Sequence, residues 1–190
     1  KKKKKLNNEM KNFISLDRKY KKNKVRKNTI FPMSFSIEAK LKKNWNIYML
    51  KKKKILAVIP ARGGSKGIKL KNLKKIKKKS LIKIVGKFIK KCNFIDYSVL
   101  STDNKKIAIE GKKFDLNIIN RPKNLSGDKV PDTKVLLQAL IHTEKILKKN
   151  FDIVVMLHPT SPLRKVDDLR NSIRLLISKK YDSVWTVSQT

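Results

Sequence analysis

The sequence predicts an α/β protein, a mostly parallel sheet with helices on both faces. Three observations carry that expectation. From residue 55 onward, short apolar runs alternate with longer segments of helical period. The first run, residues 55–60 (ILAVIP), is continuous rather than alternating, which marks a strand buried on both faces. Glycine, proline and small polar residues gather in the loops that follow strands, where open α/β sheets bind their ligands.

The elements follow in order. Residues 80–92 have helical spacing, with Leu81, Ile84, Val85, Phe88 and Ile89 on one side. Residues 97–101 form a short strand. Residues 104–114 form a helix capped by Asp103 or Asn104. Residues 117–119 give a third strand, and residues 121–132 a polar loop with one glycine and two prolines. Residues 133–149 form a helix with Val135, Leu136, Leu140, Ile146 and Leu147 as its apolar positions. Residues 153–157 are another buried strand, and 159–164 a loop. Residues 167–178 form a helix with Asp167 and Asp168 in its first turn, where the dipole favours them. Residues 183–187 are expected as a fifth strand.

Residues 1–53 differ in character. The first fifty hold 16 basic and 3 acidic residues with no sustained period. They are expected to form a basic, weakly structured extension, with one short strand over 30–37 that Pro32 interrupts. Met49 stands just before the regular part and is a candidate start of the domain, which is expected over residues 54–190.

Composition narrows the function classes. The chain has 190 residues and a formal net charge of +36. One cysteine, Cys92, excludes a disulfide framework and a multi-cysteine zinc site. No apolar run approaches the roughly 18 residues of a membrane span, and no signal-peptide pattern follows the basic N-terminus. A cytoplasmic location is expected, without a membrane partner. The charge invites a nucleic-acid reading, but 43 of the 50 basic residues are Lys, and 21 Ile and 15 Asn accompany them. All three types have A/T-rich codons. Arg, the bidentate reader of bases and phosphates, is scarce. Nucleic acid is therefore not the expected partner.

Three loops carry chemistry. The first is residues 61–72 (ARGGSKGIKLKN). Gly63, Gly64 and Gly67 permit a tight turn and close ligand approach, and its exposed amides could form an anion nest. Arg62, Lys66 and Lys71 add cations, so the loop reads as a polyphosphate cradle. It is neither a P-loop nor a dinucleotide fingerprint. The second is Ser101, Thr102 and Asp103, which could contact a ribose or base, or simply cap the next helix. The third runs from His158 to Arg164, with Thr160, Ser161 and Arg164 as donors to an anion and two prolines fixing its shape. His158 lacks a neighbouring carboxylate in the sequence and is not expected to be a general base. Arg121 and residues 126–128 lie in a loop able to close over the same edge. His142 reads as surface or packing, and Cys92 as a small buried residue.

Four segments, IPARGGSKGIKLKN (59–72), VLSTDN (99–104), RPKNLSGD (121–128) and LHPTSPLR (157–164), together resemble the acylneuraminate cytidylyltransferases. Their order and spacing match, and the resemblance covers about residues 55–190. It implies a three-layer α/β/α nucleotidyltransferase fold, Rossmann-like, and CMP transfer from CTP to a nine-carbon acidic sugar with release of pyrophosphate. Carried over by position, Ala61, Arg62, Gly63, Gly64, Lys66, Lys71, Asn72, Arg121 and Ser126 would hold CTP, with Arg62 and Lys71 catalytic. His158, Thr160, Ser161 and Arg164 would meet the sugar. Mg²⁺ would be the cofactor and a homodimer the full-length form.

Two departures accompany the resemblance. Gln is usual where His158 stands. The family's metal-binding aspartates belong to a later motif, so the ligands are expected beyond residue 190 and the domain reads as truncated at its C-terminus. The alternatives are a cytidylyltransferase for legionaminate, pseudaminate or 3-deoxy-manno-octulosonate, a basic nucleic-acid-binding protein, or an inactive remnant.

Overall fold

The computed structural model describes residues 53–65 and 67–187. The basic extension, the short strand over 30–37, Met49 and Lys66 lie outside the described residues. Residues 53–170 belong to one compact unit, and residues 171–187 to a second.

The first unit is built on a parallel sheet. Its strands are β1 (Ile55–Pro60), β4 (Tyr97–Thr102), β5 (Asn117–Asn120) and β6 (Ile153–Met156). Their spatial order is β5-β4-β1-β6, all parallel. The chain runs outward from β1 through β4 to β5, then returns to place β6 on the other side of β1. Crossovers of one hand put the outward helices and the returning helix on opposite faces.

Burial explains why β1 is central. Ile55, Leu56, Ala57, Val58 and Ile59 are all fully buried. Such a strand needs a hydrogen-bonded neighbour on each edge and a cover on each face. Val58 pairs with Val99 on one side and Met156 on the other.

Helices supply the covers. α1 (Leu81–Lys90) and α2 (Lys105–Lys112) pack together, and α2 lies on β4 and β5. α3 (Asp132–Leu147) lies on β1, β4 and β6. Its Ala139 joins Leu56, Val58, Val99 and Ile119 in one core, with Tyr97, Leu136, Leu140 and Phe151 around them. Gly111 of α2 lets the helix touch the sheet: a Cβ there would stand 2.3 Å from Leu100 Cδ2. Among the described residues, no helix is long and apolar enough to cross a membrane.

One element escaped the sequence reading. β2 (Lys75–Ile76) and β3 (Lys79–Ser80) form a two-residue hairpin ahead of α1. Its turn residues, Lys77 and Lys78, have φ of 47° and 64°. Such turns favour Asn-Gly, because both central residues are left-handed. Lysine there gave no turn signal. Ser80 then caps α1, its Oγ accepting from Lys83 N at 3.0 Å and donating to Glu110 Oε1 of α2 at 2.6 Å.

α4 (Val166–Lys179) begins in the first unit with Asp167 paired to Arg170. In the second unit, Arg174 donates to Asn171 Oδ1 at 3.0 Å and Tyr181 N to Leu176 O at 3.1 Å. The strand expected over 183–187 is reduced to a single bridge residue, Thr186. Polar Asp182 and Ser183 and exposed Trp185 and Val187 give this segment no buried face to pair.

Two outcomes follow from these contacts. Replacing Lys77-Lys78 by Asn-Gly should raise the unfolding free energy by about 1 kcal/mol, since left-handed lysines are strained; an unchanged urea midpoint would contradict the turn assignment. The Ser80 hydroxyl, helped by Lys113 and Lys83, holds the Glu110 carboxyl below its ordinary value of 4.5. A lowered folded pKa means stability that is present above pH 4.5 and lost as pH falls through the folded value. Glu110→Gln should therefore flatten the loss of stability on acidification below that pH, and parallel acid-unfolding curves would refute it.

Candidate active site

The carboxyl ends of β1 and β6 meet where the strand order reverses, the usual ligand crevice of an open parallel sheet. The three loops singled out in the sequence all leave the sheet at this edge.

The loop after β1 is folded back on itself. Ala61 N donates to Ser101 O at 2.9 Å, tying the loop to the end of β4. Asn72 is buried, and its Nδ2 donates to Arg62 O at 3.1 Å. That bond closes the loop at the short 3₁₀ turn Lys71–Leu73, where Lys71 is exposed. Gly63 is required by contact: a Cβ would stand 2.8 Å from the Asn104 side chain. Its N–H donates to Asp103 Oδ1 at 2.7 Å. That amide is therefore used within the protein, and no described glycine has positive φ. The glycines serve close packing and openness more than a left-handed nest. Gly64 has open space around it.

Arg121 anchors the second loop. The residue is buried, and its Nε and Nη2 donate to Ser101 Oγ at 3.1 Å and Ser101 O at 2.9 Å. Burial lowers its pKa; Asp103 and Asp132 oppose that shift and Arg62 adds to it. Thr102 Oγ1 accepts from Asn104 N at 3.2 Å, and Asn104 Oδ1 caps α2 through Lys106 N and Ile107 N. Of the two cap candidates Asn104 is the cap, while Asp103 holds Gly63. Thus Ser101, Thr102 and Asp103 are all committed to internal bonds.

Arg62 bridges the first loop to the 121–132 loop. Its Nη2 lies 2.5 Å from Asp128 Oδ1, and its Nη1 donates to Ser126 O at 3.5 Å. Ser126 Oγ donates to Pro122 O at 3.1 Å. These contacts form two adjoining clusters, Ala61 and Arg121 on Ser101 and Asn72, Ser126 and Asp128 on Arg62, with Gly63 held by Asp103.

The loop after β6 stands beside it. Thr160 and Ser161 are exposed, and Ser161 N donates to His158 O at 3.2 Å. Arg164 is turned inward. Its Nη2 donates to His158 O at 2.5 Å, its guanidinium lies 5.6 Å from the Phe88 ring centre, and burial lowers its pKa. His158 Nε2 lies 3.5 Å from Asp132 Oδ2, a carboxylate that the sequence did not place beside it. Cys92 is buried, with its pKa pushed up to about 11 by burial, and so lacks thiolate character at neutral pH. His142 is exposed.

An open cleft of about 580 Å³ runs between Gly63, Asp103 and the lysines Lys69, Lys105 and Lys106. Sequence reasoning missed these lysines because nothing distinguishes them from the many others. Among the described residues no group of three His, Cys, Asp or Glu side chains could hold a metal ion. Asp103 and Asp128 are also engaged, with Gly63 N and Arg62.

Removing the buried guanidinium should cost stability before it affects chemistry. Arg121→Ala should destabilise by about 2–4 kcal/mol, from lost charge-assisted bonds and a cavity. Arg121→Lys should recover only part of that, because an ammonium lacks the fork. A urea midpoint for Arg121→Ala equal to wild type would remove Arg121 as the anchor.

Known proteins share the family pattern and the fold. The family described as cytidylyltransferase matches residues 56–189. The chain is 32% identical over 109 residues to CMP-N,N'-diacetyllegionaminic acid synthase of Campylobacter jejuni, covering 57% of this chain and 46% of that protein. It is 27% identical over 139 residues to N-acylneuraminate cytidylyltransferase of Escherichia coli, covering 72% of this chain and 32% of that one. The chain therefore spans less than half the length of these two relatives. A CMP:2-keto-3-deoxy-manno-octonic acid synthetase solved with CTP shares the fold, with a TM-score of 0.55 and 22% identity over 67% of this chain and 48% of that one.

Proposed function

This chain belongs to the cytidylyltransferase family, and we propose that it carries the nucleotide-binding part of an enzyme that transfers CMP from CTP to an acidic nine-carbon sugar. The observation that carries the reading is the pair of adjoining clusters, Arg62 with Asn72 and Ser126, and Arg121 on Ser101, at the carboxyl ends of β1, β4 and β5. A sialic acid is the first candidate sugar. Legionaminate is the second, favoured by the identity to a legionaminic acid synthase.

The chemistry suits the residues. A sugar hydroxyl oxygen attacks the α-phosphorus and loses its proton to water, a new P–O bond forms, and the bond to pyrophosphate breaks. Negative charge grows on the phosphoryl oxygens and the leaving group, so positioning and fixed cations supply the catalysis. Arg62, with its planar fork, and exposed Lys71 would meet the triphosphate. Lys66, Gly63 and Gly64 would line its path. Arg121 would hold the base side of the site by fixing Ser101. Thr160 and Ser161 would offer hydroxyls to the sugar, and His158 would stand beside them. Arg164, bound to His158 O, would set the shape of that loop. Mg²⁺ is the ion expected for this chemistry; among the described residues no three His, Cys, Asp or Glu side chains gather around a common point to hold it.

Calorimetric titration with CTP tests the reading. Arg62→Ala should weaken CTP binding by about 1–3 kcal/mol, the loss of a charge-assisted contact, with ATP bound more weakly than CTP by wild type. Pyrophosphate release with N-acetylneuraminate, legionaminate and 3-deoxy-manno-octulosonate in parallel should favour one of the nine-carbon sugars. Equal CTP affinity in wild type and Arg62→Ala would remove Arg62 from the site.

A further inference from the structure

Arg62 is already occupied. Its Nη2 lies 2.5 Å from Asp128 Oδ1 and its Nη1 faces Ser126 O. A carboxylate and a phosphate present the same kind of acceptor edge to a guanidinium fork. One fork cannot serve both without setting two anions against each other. The two side chains are about one-third exposed, at 30% and 34%, so a ligand can reach them.

The surroundings confine any exchange to the loop tip. The base of the 121–132 loop is held separately, by Arg121 on Ser101 and by Arg121 N on Thr102 O. The first loop is held separately too, by Asn72 on Arg62 O and by Ala61 on Ser101 O. Breaking the Arg62–Asp128 pair therefore leaves both loops anchored. Gly127, adjacent to Asp128, meets only Val130 if given a Cβ, at 3.6 Å, so the tip has room to turn.

Resting on the nucleotide reading above, we propose that Asp128 is an internal competitor for the triphosphate, an affinity-setting residue that holds Arg62 until a polyanion displaces it. The site is then in equilibrium between a latched and a receptive form. Apparent nucleotide affinity falls by the receptive fraction. When pyrophosphate leaves, Asp128 retakes the guanidinium, which favours release of the remaining monophosphate product.

The sign of one substitution separates this role from a supporting one. Were Asp128 only a brace, its loss would loosen Arg62 and weaken CTP. As a competitor, its loss strengthens CTP. Partly exposed pairs are weak, so Asp128→Asn should tighten CTP by about 2–5-fold. The experiment is calorimetric titration of CTP into the full chain in EDTA, at low salt, for wild type, Asp128→Asn, Arg62→Ala and the double variant. The tightening should vanish in the Arg62→Ala background. Weaker or equal binding by Asp128→Asn overturns the proposal. So does equal tightening with and without Arg62, which would mean only that a negative charge had been removed. If no variant and no wild type binds CTP, the nucleotide reading itself falls, and the latch with it. Asp128→Ser and a thermal melt of each variant distinguish tightening from altered folding.

Discussion

Complete burial of residues 55–59 in β1 is the constraint on which the rest of the first unit depends. Five successive apolar residues, Ile55 to Ile59, are removed from water on both faces. Their amides and carbonyls must then be satisfied by neighbouring strands on both edges, because no solvent reaches them. β4 and β6 meet that demand, and α1, α2 and α3 cover the faces. The carboxyl end of β1 consequently opens at the reversal of strand order. The loop from Ala61 onward inherits that position from the core beneath it.

Two arginines divide the work above that edge. Arg121 is buried and spends its donors on Ser101, which fixes the end of β4 and the start of the long loop. Arg62 is half-buried and faces Asp128, within reach of solvent. The first is a part of the framework and the second is available for exchange. Asp103, Asp128 and Asp132 sit among these cations, in a chain with only 14 acidic residues. The site is thus locally balanced within a protein of strong positive charge. Such balance gives an incoming polyanion discrete partners to displace, which a uniform field of lysines would not.

Much of the sheet was legible because burial imposes pattern. The ILAVIP run reads as a strand buried on both faces, and the helical spacing around Leu81, Val85 and Phe88 as a helix with one apolar side. The hairpin at Lys75–Ser80 was illegible because its turn holds lysines where the geometry calls for Asn-Gly. The expected strand over 183–187 failed for the opposite reason, since its β-branched residues alternate without a buried face. At the site, the loops were legible from glycine, proline and cation spacing. Their pairings were not. The Arg62–Asp128 and His158–Asp132 contacts join residues 66 and 26 positions apart, and no local pattern encodes them. Arg164 likewise reads as a surface donor, yet stacks on Phe88.

A nucleotide taken at the carboxyl edge of this sheet would shield the loops that leave it. Hydrogen exchange read by mass spectrometry, with and without CTP, tests it most directly. The account expects slower exchange in residues 61–72 and 121–132, with β1, β4 and β6 already protected in both states. Protection confined to the lysine-rich hairpin at residues 75–80, or spread evenly over the basic surface, would contradict it.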